Sequence, residues 1–281
     1  MAQSGTSLNA GAGFGQSTVL AAVKRVLDVV LPPRCLSCGT TVTGDGGLCG
    51  ECWEAVSFLS APLCSCCGYP FEFEAGDDVL CGQCLRRHPV FDRARAAFAY
   101  DEESRRIVID YKHRDRTDMA PALARWMLQA GAELIAEADL ITPVPLHWTR
   151  LIARRFNQSA ELARRIAQES GTAYAPDLLR RRRRTPPQTG LAAGDRRRNV
   201  KGAFRVGRAG VAAISGKRIL VIDDVLTTGS TVSACAGVLK WAGASAVDVL
   251  TVARVVRAEG GQADSGRTDS GPKDSGRMDS G

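Results

Sequence analysis

The chain has 281 residues, 44% of them hydrophobic, and a formal net charge of +7. That length allows one large or two modest domains with ample material for a core, and the apolar share is ordinary for a soluble protein. No run of about 18 apolar residues occurs, so no membrane-spanning helix is expected.

Residues 1–17 are small and polar, with no basic stretch leading into an apolar one. That pattern argues against a secretory signal and leaves a segment expected to be disordered. The expected compartment is therefore the cytoplasm, where thiols stay reduced. Residues 18–33 fit a short amphipathic helix. Val19, Val23, Val26, Leu27 and Val30 share one side, and Pro32-Pro33 stops it. With only Lys24 and Arg25 as cations, this helix is a poor membrane binder and a better fit to the cysteine module that follows.

Nine of the ten cysteines lie between positions 35 and 84, in a segment expected to run over 34–90. They form four C-x-x-C turns: Cys35/Cys38, Cys49/Cys52, Cys64/Cys67 and Cys81/Cys84. One such turn offers two thiolates to a metal, and two turns complete a tetrahedral Zn²⁺ site. Ten residues separate the first two turns and thirteen the last two, each enough for a hairpin. Two structural zincs are expected, paired in sequence order, although spacing alone leaves a crossed pairing open. Disulfides are the alternative, disfavoured because nothing suggests export. Four protein ligands per metal leave no position for a catalytic water, so the metals would supply folding energy. Cys66 is a spare thiol or a substitute ligand. Cys235 reads as a buried small hydrophobe.

From residue 91 to about 257 the pattern alternates between strand and helix. Strands are expected at 94–100, 139–145, 219–224 and 246–256. Helices are expected at 119–138, 158–169 and 231–242. Such alternation predicts a mainly parallel sheet with helices on both faces. Across residues 150–208, fifteen Arg and one Lys face four acids, a net +12 that leaves −5 for the remainder. Arg180 to Arg184 and Arg196 to Arg198 are the densest runs. They suit a polyanion such as nucleic acid or pyrophosphate. The bland alternative is a solvated face, and no interleaved aromatics argue for base stacking. Residues 258–281 repeat Asp-Ser-Gly with a period of five, have too little apolar content for a core and are expected to be disordered.

The most specific segment is Ile219-Leu220-Val221-Ile222-Asp223-Asp224-Val225-Leu226-Thr227-Thr228-Gly229-Ser230-Thr231. A buried strand delivers two carboxylates, a hydroxyl- and Gly-rich loop follows, and a helix starts at once. Loop N–H groups and the positive helix end make a phosphate cradle. Asp223 and Asp224 would lie beside it, able to hold ribose hydroxyls or Mg²⁺. A Walker loop would need a Lys after the Gly, and a dinucleotide fingerprint three spaced glycines.

This segment resembles the phosphoribosyl pyrophosphate (PRPP) motif of type I phosphoribosyltransferases. The whole from about Pro33 to Arg254 resembles the ComF family of competence-associated, phosphoribosyltransferase-like proteins with a double zinc ribbon. Besides the cysteines and the PRPP motif, two blocks carry the resemblance. One is Pro143-Val144-Pro145-Leu146-His147 with Arg150-Leu151 and Arg154-Arg155-Phe156-Asn157-Gln158. The other is Thr185-Pro186-Pro187-Gln188 with Leu191, Arg196 to Arg198, Asn199-Val200 and Gly202-Ala203-Phe204. Arg155 departs from the family, which usually has Gly there.

The resemblance implies a role for each block. Thr227, Thr228, Gly229, Ser230 and Thr231 would hold the 5′-phosphate. Asp223 and Asp224 would hold the ribose, directly or through Mg²⁺. Pro143 to Leu146 with Arg150 and Arg154 would face the pyrophosphate, and Thr185 to Asn199 would close over the site. Asn157 and Gln158 are orienters or simply a helix N-cap. His147 and His113 are general bases or surface residues. Such a site supports displacement of pyrophosphate at ribose C1, with the acceptor unspecified. The rival reading is a single-stranded-DNA-handling protein using its Arg face. A third is a zinc-stapled scaffold for competence or helicase partners.

Overall fold

A computed structural model describes residues 32–43, 47–76, 78–113, 116–146, 156–183 and 193–256. Residues 1–17, the helix expected before Pro32 and the 258–281 tail lie outside them. So do His147, Arg150, Arg154, Arg155 and Thr185 to Gln188.

The cysteine module contains two short helices, α1 (Gly50–Ala55) and α2 (Gly82–Arg86), opening directly after Cys49 and Cys81. The following region begins with strand β1 (Ala94–Ala99) and helix α3 (Glu102–His113). After a 3₁₀ turn come α4 (Ala120–Ala130) and α5 (Ala132–Glu137). One helix was expected over 119–138, and Gly131 divides it. A Cβ at Gly131 would lie 2.6 Å from Leu250 Cδ1, so the chain comes too close to the sheet here for any side chain.

Strand β2 (Leu140–Pro143), helix α6 (Gln158–Ser170) and strand β3 (Ala173–Tyr174) follow. Then come β4 (Leu179–Arg181), α7 (Ala193–Val200), β5 (Phe204–Val206) and α8 (Arg208–Ile214). The chain then forms β6 (Arg218–Leu226), α9 (Ser230–Trp241) and β7 (Ala246–Arg254).

The main sheet has the order β1-β7-β6-β2-β3, and every neighbouring pair is parallel. α4 and α6 pack on one face and α9 on the other. All nine residues of β7 are buried, as expected for a central strand covered on both sides. β4 and β5 form a separate antiparallel ribbon that, with α7, lies over α9.

The cysteine module closes one sheet edge. Leu59 N donates to Ala97 O at 3.0 Å and Ala99 N to Ser57 O at 2.9 Å, with Phe58 opposite Phe98. Pairing the outer strand in this way hides an edge that would otherwise recruit another chain. Phe58 stacks among Trp53, Phe98 and Trp126, at centroid distances of 4.5 to 6.1 Å. At the opposite end of the strands, the fully buried Asp248 accepts from Arg93 and Arg218.

Candidate phosphate and metal sites

The two zinc sites follow sequence order. The Sγ atoms of Cys35, Cys38, Cys49 and Cys52 lie within 4.8 Å of one another, and so do those of Cys64, Cys67, Cys81 and Cys84. Cys38 and Cys49 are 3.7 Å apart, Cys67 and Cys81 3.6 Å. A tetrahedron with Zn–S near 2.3 Å has an S···S edge of about 3.8 Å, so the spacing fits zinc. The crossed pairing is thereby excluded, and no cysteine is in a disulfide. Backbone amides point at the sulfurs: Cys49 N to Cys35 Sγ at 3.4 Å, Cys81 N to Cys64 Sγ at 3.3 Å. Thr40, through its hydroxyl and then its backbone, holds the Cys38 thiol down to about 6, toward the thiolate a metal needs. Cys66 stays outside both sets, and its carbonyl accepts from Ala94 N at 2.6 Å.

The two C-x-x-C-G turns end alike and dock differently. Gly39 and Gly68 both take positive φ, +83° and +67°. Beside Gly39 there is open space, whereas a Cβ at Gly68 would sit 2.5 Å from Ala94 O. The second knuckle is thus pressed against β1. It is also tied to β7: buried Arg254 donates through Nη1 to the Cys67 carbonyl and approaches Cys67 Sγ at 3.5 Å, its guanidinium 5.3 Å above the Tyr69 ring. The Cys67 contacts span 187 residues of sequence.

β6 carries the acid pair out of the core. Its residues Ile219 to Ile222 are buried, while Asp223 and Asp224 emerge half-buried at the C-terminal end. Gly229 turns the chain with φ +68° into α9, where Ser230 is the first helical residue. Only Gly adopts that left-handed geometry without strain. A Cβ there would touch the Phe91 ring at 3.4 Å, so the linker leaving the second knuckle packs against this loop. Thr228 Oγ1 and Ser230 Oγ share a hydrogen bond of 2.8 Å. The first N–H groups of α9 have no acceptor within the helix and carry its positive dipole end. The expected loop residues Thr227 to Thr231 therefore sit together at one helix N-terminus beside the two acids.

α6 supplies the neighbouring wall. Asn157 is its N-cap, accepting from Ser159 N at 3.1 Å, while its Nδ2 donates to Val144 O at 3.1 Å. The N-cap reading of Asn157 therefore holds, and the same side chain anchors the Pro143 to Leu146 segment. Ser159 Oγ donates to Asp223 Oδ1 at 3.1 Å. Burial, reinforced by the Asp224 charge, pushes the Asp223 carboxyl up to about 7. Cys235, buried on α9, has its thiol pushed up by burial and stays an inert hydrophobe.

One residue escaped the sequence reading. Lys112, in the last turn of α3, places Nζ 3.1 Å from Asp224 Oδ1. Its only sequence signal is the dipeptide Tyr111-Lys112, which has no motif spacing to the acids. Oxygen donors of Asp223 and Asp224 are the hard ligands Mg²⁺ prefers, so the set is chemically suited to that ion.

The Arg runs divide. Arg181 lies under the ribbon, 5.2 Å over the Phe204 ring, and Arg183 donates to the Asn199 and Lys201 carbonyls. Arg180 and Arg205 face each other across the ribbon, exposed, with exposed Arg182 next along the same strand face. None of these three pairs with a carboxylate among the described residues. Like charges directly opposite are unfavourable unless a polyanion covers them.

A double zinc ribbon domain model matches residues 26–85. The DNA utilization protein YhgH of Salmonella typhimurium is 35% identical over 219 residues, covering 75% of this chain and 91% of that protein. Competence protein F of Haemophilus influenzae is 28% identical over 227 residues, covering 79% and 96%. Among solved structures, the allosteric regulatory enzyme of purine biosynthesis aligns with TM-score 0.36 and 22% identity over 51% of this chain and 30% of its own. The orotate phosphoribosyltransferase of Aeropyrum pernix aligns with TM-score 0.31 and 16% identity, over 57% and 80%. Among the described residues no helix is long and apolar enough to cross a membrane.

Proposed function

We propose that this chain, which belongs to the ComF family represented by DNA utilization protein YhgH and competence protein F, binds PRPP or a related phosphoribosyl ligand with Mg²⁺ in the service of DNA uptake or processing. One observation carries the reading. Asp223 and Asp224 lie near the C-terminal end of the parallel strand β6, which closes at Leu226, and Gly229 then turns the chain into the N-terminus of α9. A 5′-phosphate suits the loop and helix end, and ribose hydroxyls suit the carboxylates. Mg²⁺ would neutralise charge on the diphosphate. If the ligand is turned over, pyrophosphate leaves ribose C1 and the developing positive charge on the sugar is stabilised by the acid pair. Arg150 and Arg154 are proposed as contacts of the leaving diphosphate. The zincs are proposed to be structural, since all four ligands of each are cysteines.

Calorimetric titration of zinc-loaded protein with PRPP and Mg²⁺ tests this, alongside the Asp223→Asn/Asp224→Asn variant. Saturable heat lost in the variant is expected. Absence of heat in both would remove the reading.

The ribbon favours a second reading, contact with single-stranded DNA. Arg180, Arg182 and Arg205, rather than the internally engaged Arg181 and Arg183, would then meet the phosphates. Affinity should fall steeply with salt. Arg180→Glu/Arg205→Glu should reduce it, and unchanged affinity would end that reading.

A further inference from the structure

Lys112 is held in place more firmly than a surface lysine needs. The last turn of α3 is stitched to the start of α6 by two buried polar side chains. Tyr111 Oη donates to Gln158 O at 2.9 Å, and Gln158 Nε2 donates to Lys112 O at 3.1 Å. Tyr111 is 1% and Gln158 2% exposed. Burying a hydroxyl and an amide is costly unless both are bonded, and here both bonds serve to fix the backbone that carries Lys112. The next residue of α6, Ser159, holds Asp223. One junction between α3 and α6 therefore positions a partner for each acid: a hydroxyl for Asp223 and an ammonium for Asp224.

A lysine at a helix C-terminus can also serve only the helix dipole. That role would need neither the buried Gln158 amide nor a carboxylate 3.1 Å away on another element. An ammonium has three donors, no acceptor and a flexible stem, so it can leave one oxygen for another nearby at little geometric cost.

We propose that Lys112 is a ligand-binding residue of the acid-pair site: its ammonium occupies Asp224 until a phosphoribosyl ligand arrives, and then moves to a diphosphate oxygen as Asp224 takes up the ribose hydroxyls or a divalent ion. This rests on the phosphoribosyl reading and adds to it a cation contributed from outside the recognisable motif. The ammonium competes with a divalent ion for one carboxylate oxygen and co-operates with the diphosphate. Its removal must then shift the two affinities in opposite directions, which simple structural damage cannot do.

The test measures Mn²⁺ binding by paramagnetic relaxation and PRPP binding by calorimetry, for wild type, Lys112→Met, Lys112→Arg and Asp223→Asn/Asp224→Asn. Thermal melting of each confirms folding. Lys112→Met should bind Mn²⁺ alone more tightly, by up to about fivefold for a partly exposed pair. It should bind PRPP more weakly by about 10- to 100-fold, the range for a hydrogen bond to a charged group. Lys112→Arg keeps the charge and should recover most PRPP affinity. If Lys112→Met weakens both ligands alike, or leaves PRPP affinity unchanged while the double Asn variant loses it, the proposal fails and the phosphoribosyl site stands. A wild-type protein that binds no PRPP overturns both.

Discussion

Gly39 and Gly68 are matched positions in the two zinc knuckles, and alanine at each separates the local from the docking contribution. Both need a left-handed backbone, at +83° and +67°. Forcing alanine into it costs about 1–2 kcal/mol at either site. There the likeness ends. At Gly39 the new methyl meets nothing within 4 Å, whereas at Gly68 it would lie 2.5 Å from the Ala94 carbonyl oxygen. Neither that backbone oxygen nor the knuckle can yield without separating. Separation loosens the Ala94 N to Cys66 O bond and the Arg254 bond to the Cys67 carbonyl. A net hydrogen bond contributes about 1 kcal/mol and a bond from a charged donor about 1.5–3. Gly68→Ala should therefore cost about 3–5 kcal/mol against about 1–2 for Gly39→Ala. Urea unfolding of the zinc-loaded proteins measures both, with zinc release followed by a colorimetric chelator. Gly68→Ala should also release its second zinc at lower urea. Equal losses in the two variants would refute a second knuckle built into the sheet.

Asp248→Ala should destabilise by about 1.5–3 kcal/mol, because the part-buried Arg93 and Arg218 lose their buried carboxylate and keep only the exposed Glu137. Removing the exposed Arg116–Asp118 pair should change stability by no more than about 0.5 kcal/mol in the same denaturation assay. Asn157→Ala removes an N-cap and should cost about 1–2 kcal/mol, read as a lower urea midpoint. Asp223 has a folded pKa of about 7, above its ordinary value. Its contribution to stability is thus fully present below about pH 4 and is lost as pH rises through about 7, with a ceiling of about 4 kcal/mol. Wild type should lose stability relative to Asp223→Asn over that range, and parallel pH profiles would contradict the burial argument.

Local spacing made the two cysteine clusters and the Gly-led loop beside the acid pair legible. A C-x-x-C turn, or a strand followed by two acids and a Gly-led helix, is a short-range pattern whose geometry needs only neighbouring residues. The strand and helix alternation was legible for the same reason, since β6 holds the apolar run Ile219 to Ile222 and β7 is mostly apolar and β-branched. The close approach of Gly131 to Leu250 was not, because the two meet only when the helix packs on the sheet. Nor was the division of the Arg runs, which follows from Leu179 and Phe204 turning alternate residues of a short ribbon inward.

By itself the sequence determined which atoms can ligate metal and where an anion can meet a helix end. Only the tertiary structure decided that the cysteine pairs close in order and that the second knuckle bears on β1, β7 and the linker against Gly229. It alone brought Lys112 to Asp224, which lies 112 residues further along the chain and is reached only across α3 and β6. The physical reason is range. Ligand spacing is set by bond geometry over a few residues, whereas the meeting of distant charges is set by how buried helices pack on a sheet, and no local pattern records that.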